Sequence, residues 1–149
     1  MNTSCLVAMI DEAYDKRSWH GPNLRGALRG VTPEQAAWRP AAGAHNIWEL
    51  ALHAAYWKYV VLRKIVGGKR GSFALKGSNF FVRPVELSDA AWKKDLAILE
   101  VTHQDLRCAV LQLKPGASER VLHMIRGAAA HDLYHAGQIR LIRRLFARG

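Results

Sequence analysis

The sequence predicts an all-α protein: a four-helix bundle with additional short helices between the first and second long helices. Three observations carry that prediction. Four long stretches repeat apolar residues every three or four positions, capping residues or Gly and Pro bound them, and no segment shows the apolar–polar alternation of a half-buried strand.

The first helix is expected over residues 3–17, where Leu6, Met9, Ile10, Ala13 and Tyr14 recur at helical spacing. Thr3 or Ser4 is available as its N-cap, with Asp11 and Glu12 placed early in it. Trp19-His20-Gly21-Pro22-Asn23 breaks the pattern, and Pro22 can open a short helix through Leu24 and Leu28 that Gly30 ends. Thr32-Pro33-Glu34-Gln35 reads as the cap and first turn of a second short helix ending before Pro40. After the loop PAAGAH, Asn46 caps a helix that runs to Val66 and stops at Gly67-Gly68, with Glu49 in a near capping-box position. Its stripe is Ile47, Leu50, Ala54, Trp57, Val61 and Ile65, with His53 on one edge.

Residues 67–87 carry glycines, a proline and no period, and are expected to cross the end of the bundle as a long loop. Ser88 caps the next helix, in which Trp92, Leu96, Leu99, His103, Leu106, Val110 and Leu113 alternate steps of four and three. Pro115-Gly116 end it, and Ser118 starts a last helix running to about Phe146. The short turn between these two helices predicts antiparallel neighbours.

The 149 residues are read as one domain, 1–149, long enough to bury a core without disulfide or metal props. The apolar fraction of 50% and the absence of any run approaching a membrane span exclude disorder and a spanning helix, and the acidic residues near the N-terminus argue against a signal peptide. The expected compartment is cytoplasmic. Cys5 and Cys108 are isolated, without C-x-x-C spacing, and read as small core residues. The net charge of +10 admits an anionic partner without choosing one.

The chemistry-bearing stretch is GAAAHDLYHAGQIRLIRR, residues 127–144. His131 and His135 are four apart and therefore share a helix face, on the stripe formed by Val121, Ile125, Ala128, Ile139, Ile142 and Phe146. Inward-facing imidazoles need partners, because an unmet buried nitrogen costs on the order of 1–3 kcal/mol. Carbonyls or water would satisfy the two rings separately; a third ligand would make them a metal site. His53 is positioned to converge on them across the bundle, and three neutral imidazoles suit Zn²⁺, Ni²⁺, Cu²⁺ or Fe²⁺ with a coordination position left open.

The segments AAWRP, IWELALHAAYWKY and HDLYHAGQIRLIRR, with WHGPNL and SNFFVRP between them, resemble the DinB-like superfamily of bacterial stress-associated bundles over nearly the whole chain. The resemblance implies a four-helix bundle whose metal ligands come from the second long helix and from an H-x-x-x-H pair in the last, here His53, His131 and His135. It also implies a divalent ion, Zn or Ni first among them, and a small-molecule substrate such as a low-molecular-weight thiol, since some relatives are thiol-dependent transferases or isomerases.

Among the other histidines, His103 is expected to be a hydrogen-bonded interior residue, His20 lies in a helix break that can wall a pocket, and His45 and His123 read as surface or capping residues. Asp132 makes the pair H-D-x-x-H, one methylene short of the zinc-protease motif and without its nearby third ligand; with Glu49 it is a candidate acceptor for ligand N–H groups or a solvated charge. Arg126, Arg140, Arg143, Arg144 and Arg148, with Lys69, Arg70 and Lys76, form a basic face, but no zinc-finger or RNA-recognition signature accompanies it, so no specific nucleic-acid binding is expected. Phe80 and Phe81 are surface aromatics that permit a homodimer. The functional expectation is a metal-dependent enzyme of the thiol-dependent transferase or hydrolase type. The alternative is a non-catalytic metal- or anion-binding stress-response protein. No catalytic residue is assigned.

Overall fold

The structure, a computed structural model, describes residues 2–149, and no strand occurs among them. The helices are α1 (Thr3–Tyr14), α2 (Leu24–Leu28), α3 (Pro33–Ala37), α4 (Ile47–Val66), α5 (Asp89–Leu111) and α6 (Glu119–Phe146). None is long and apolar enough to cross a membrane.

Local chemistry sets the helix ends. Asn46, Ser88 and Ser118 accept from the backbone N–H three residues on, satisfying a donor that no helical carbonyl reaches. Thr32 and Gln35 complete a reciprocal capping box. Gly67, at φ 71°, ends α4 in the left-handed conformation. Three ends differ from expectation. Asn2, not Thr3 or Ser4, caps α1, which stops at Tyr14 and so carries Asp11 and Glu12 near its end. Asn23, not Pro22, opens α2, its Oδ1 accepting from Gly26 N while its Nδ2 donates to Lys16 O. Glu49 completes only half a box at Asn46, because its carboxylate turns away to Arg39.

The bundle departs from simple up-and-down order. α4 packs on both α5 and α6, and α1 packs on both α6 and α5. The last two helices therefore lie across the bundle diagonal and are not the adjacent pair that their short connection suggested. Trp48–Asp95 and Lys58–His103 contacts advance together along α4 and α5, so these helices are parallel. Tyr14–Glu100 and Arg107–Asp11 contacts run oppositely, so α1 and α5 are antiparallel. A parallel pair needs a connection that returns the length of a helix, about 30 Å for the 20 residues of α4. The long loop makes this return along α4, and does not merely cross the bundle end: Ser72 bonds Tyr59, Phe73 packs on Tyr56, Asn79 O reaches His53, and Arg83 N reaches Glu49. Phe81 is buried and Phe80 packs against the core, so neither is the free surface aromatic expected for a dimer contact.

Two apolar clusters fill the bundle. One gathers Leu6, Ile10, Val61, Leu106 and Ile125; the other gathers Trp48, Leu52, Trp92, Leu99 and Ile139. Between them Lys58, His103 and Asp132 form a buried polar layer, with Lys58 Nζ bonded to the Asp132 carboxylate and 3.3 Å from His103 Nδ1. Cys5 and Cys108 are both exposed, contrary to the core role read from sequence, because each lies off the inward stripe of its helix.

Candidate metal centre

The i, i+4 spacing on α6 and the facing turn of α4 bring His53, His131 and His135 together, with their ligand atoms within 4.8 Å of one another. His131 Nε2 lies 3.1 Å from His53 Nε2 and 3.0 Å from His135 Nε2. The outer nitrogens are tied off. His53 Nδ1 sits 2.9 Å from the carbonyl of Asn79, and His135 Nδ1 sits 2.6 Å from Gln138 Oε1. Both partners are oxygen acceptors, so each Nδ1 carries the proton and each Nε2 presents a lone pair to the centre.

The Asn79 carbonyl is itself placed. Asn79 adopts φ 65°, a conformation Asn tolerates better than most residues, and its Oδ1 accepts from Trp57 Nε1 at 3.0 Å. Burial holds all three imidazoles neutral. It lowers His53, opposed by the Asn79 bond, and pulls His131 down to about 3 and His135 down to about 4, with neighbouring histidines adding to the effect. Neutral rings leave crowded lone pairs, and a proton on His131 Nε2 would satisfy one of the two short approaches but never both. A single ion with bonds of roughly 2.0–2.1 Å bridges donors at these separations, so the residues fit a metal.

The triad opens on a cleft of about 470 Å³. Its walls include Pro40, Leu50, Phe80, Tyr134, Leu141 and Ile142. His45 is exposed, as expected of a surface residue, and also lines the cleft. Phe80 lies between two imidazoles in a three-ring stack, 3.7 Å from the His45 ring and 3.9 Å from the His53 ring by centroid. His45 Nδ1 is 2.9 Å from Glu49. Burial alone would raise Glu49, but bonds from Arg39, His45 and the Arg83 N–H hold it down at about 2. Glu49 therefore orients His45 and touches none of the three triad rings.

The other candidates separate from the centre. Asp132 turns to Lys58 and accepts nothing from a triad histidine; burial raises its pKa to about 6, against the opposing Lys58 charge. His103 is fully buried, stacked 3.8 Å from Tyr14, and outside the cluster. His20 and His123 are exposed. In the basic face, Arg126 pairs with Glu119 and Arg143 donates to Ala27 O, while Arg140 and Arg143 line a separate cleft with Lys16, Arg17 and Arg29. Sequence reading missed His45, Asn79 and Gln138. Gln138 was legible, being three residues from His135 on the same helix face, and His45 stands four residues before Glu49.

The family model of the DinB superfamily matches residues 17–139, a span containing all three histidines. The chain belongs to the DinB superfamily. No curated protein and no solved structure matches it. The DinB match ends within α6, just beyond Gln138, so the segment that holds the tied-off His135 lies inside the family region.

Proposed function

We propose that His53, His131 and His135 bind one divalent ion, Zn²⁺ or Ni²⁺ first among candidates, and that the chain is a metal-dependent enzyme of the thiol-dependent transferase or hydrolase type. The observation that carries the reading is the convergence of three neutral imidazoles on one point, two with their outer nitrogens held by Asn79 and Gln138. DinB-type bundles are generally metal-binding, which supports it further. When bound, the ion supplies Lewis acidity and an open position at which water or a thiol is activated.

The chain's own residues do the rest. Asn79 and Gln138 select the tautomers and fix ring orientation. The Phe80 stack braces His53, and Glu49 holds His45 at the cleft wall. The apolar walls keep bulk water from one side of the centre. A small-molecule substrate enters by the cleft; no specific nucleic-acid or membrane partner is proposed, and the proposed compartment is the cytoplasm.

The second reading, a non-catalytic metal- or anion-binding stress protein, has one observation in its favour: among the described residues no carboxylate lines the cleft to act as a base. Metal content tests the first step. Protein purified without tag or chelator should carry about one ion per chain, and His53→Ala should lose it with helicity retained. Full occupancy in His53→Ala refutes the site. Azide changing the absorption of the Co²⁺-substituted protein separates an open position from a closed clip.

A further inference from the structure

Resting on that metal-bound reading, we propose that the site takes a thiol with an apolar, aromatic body and a single anionic atom, its sulfur, in preference to a carboxylate- or phosphate-bearing thiol. The chain has 22 Lys and Arg against 12 Asp and Glu, yet among the described residues no Lys or Arg lines the triad cleft. The nearby cation Arg39 is committed to Glu49 and the Ala44 carbonyl. An ion held by three neutral imidazoles retains its full charge, so the remaining position favours an anion. A thiol meets that need as thiolate: the metal–sulfur bond forms, the S–H bond breaks, and the proton passes to solvent.

Past the sulfur, the ligand meets Leu50, Phe80, Tyr134, Leu141 and Ile142. Tyr134 and Leu141 are 64% and 49% exposed, apolar surface that an aromatic ligand body would cover. The non-triad polar groups among the lining side chains are His45, Gln138 and the Tyr134 hydroxyl. His45 is engaged at Nδ1 by Glu49, and Gln138 at both amide atoms by His135 and the Tyr134 hydroxyl, leaving His45 Nε2 and the Tyr134 O–H to serve neutral hydrogen-bonding groups on the ligand. A second carboxylate or a phosphate would enter this wall without a cationic partner, and desolvation would penalise it. The cations that would welcome such a group line the separate cleft at Lys16, Arg17, Arg29 and Arg140.

The test uses the full chain loaded with Co²⁺, titrated at physiological salt with benzyl mercaptan, 2-mercaptoethanol and mercaptosuccinate while the cobalt absorption is followed. Benzyl mercaptan should bind at least about tenfold more tightly than either of the others. Leu141→Lys, at a half-exposed position that leaves the core intact, should narrow the preference for benzyl mercaptan over mercaptosuccinate by at least about fivefold. Equal midpoints for the three thiols, or tighter mercaptosuccinate, overturn the ligand class while leaving the metal site standing. So does a preference that Leu141→Lys does not change. A bound-cobalt spectrum that no thiol or azide moves overturns the open position itself, and the ligand class with it.

Discussion

His103 makes the polar layer between the two apolar clusters a measurable pH liability. Its ring is fully buried against Tyr14, its Nδ1 accepts from Lys58, and its Nε2 has no partner. Burial, reinforced by the charges of Lys58, Arg107, Lys16 and Arg25, lowers its pKa from 6.5 to about 3. A histidine depressed in the folded state contributes stability that is complete above its unfolded pKa and is lost as pH falls, here between about 6.5 and 3. At pH 7.5 the loss is under about 0.1 kcal/mol; at pH 5.0 it is about 2 kcal/mol, from roughly 1.5 logarithmic units at about 1.36 kcal/mol each. The perturbation is His103→Gln, which keeps an acceptor for Lys58 and removes the titration. Urea unfolding with chelator present, at both pH values, gives the stability gap between the two proteins. At pH 7.5 the variant should be less stable by roughly 1–3 kcal/mol for lost packing. At pH 5.0 that gap should shrink by about 2 kcal/mol, because the wild-type protein alone carries the His103 cost and every other titrating group is common to both. A gap unchanged within about 0.5 kcal/mol refutes the reasoning.

Two further outcomes follow from contacts near the centre. Lys58→Met leaves the Asp132 carboxylate buried without its cation and should destabilise by about 3–5 kcal/mol, whereas the double variant Lys58→Met/Asp132→Leu should recover most of that loss; equal stability of the single and double variants in urea unfolding would contradict this. Gln138→Leu removes the acceptor at His135 Nδ1 and should weaken metal binding by about 10–100-fold in chelator competition without unfolding the chain; an unchanged affinity would remove Gln138 from any orienting role.

Helix existence, most helix ends and the three histidines were legible in the sequence because each depends on neighbours a few residues apart. Thr32, Asn46, Ser88 and Ser118 cap the helices they precede, Gly67 supplies the left-handed stop, and the four-residue spacing puts His131 and His135 on one face wherever α6 lies. His53 came from its place at the edge of a helical stripe and from resemblance to the DinB-like superfamily. The contacts that were misread or missed share a different origin. α5 and α6 lie across a diagonal, Asp132 answers Lys58 across the core, and His45 reaches the cleft through Phe80 from a loop that returns along α4. Each of these depends on which surfaces meet across elements distant in sequence. Hydrogen bonds within a turn are set by the local chain, whereas the partner of a buried charge is chosen by packing of the whole bundle. Local chain chemistry is therefore enough to set the helices and the paired imidazoles of α6. What faces them follows from packing across the whole bundle: a third imidazole, two oxygen acceptors that aim the rings, and a cleft lined by none of the described Lys, Arg, Asp or Glu residues of a strongly basic protein.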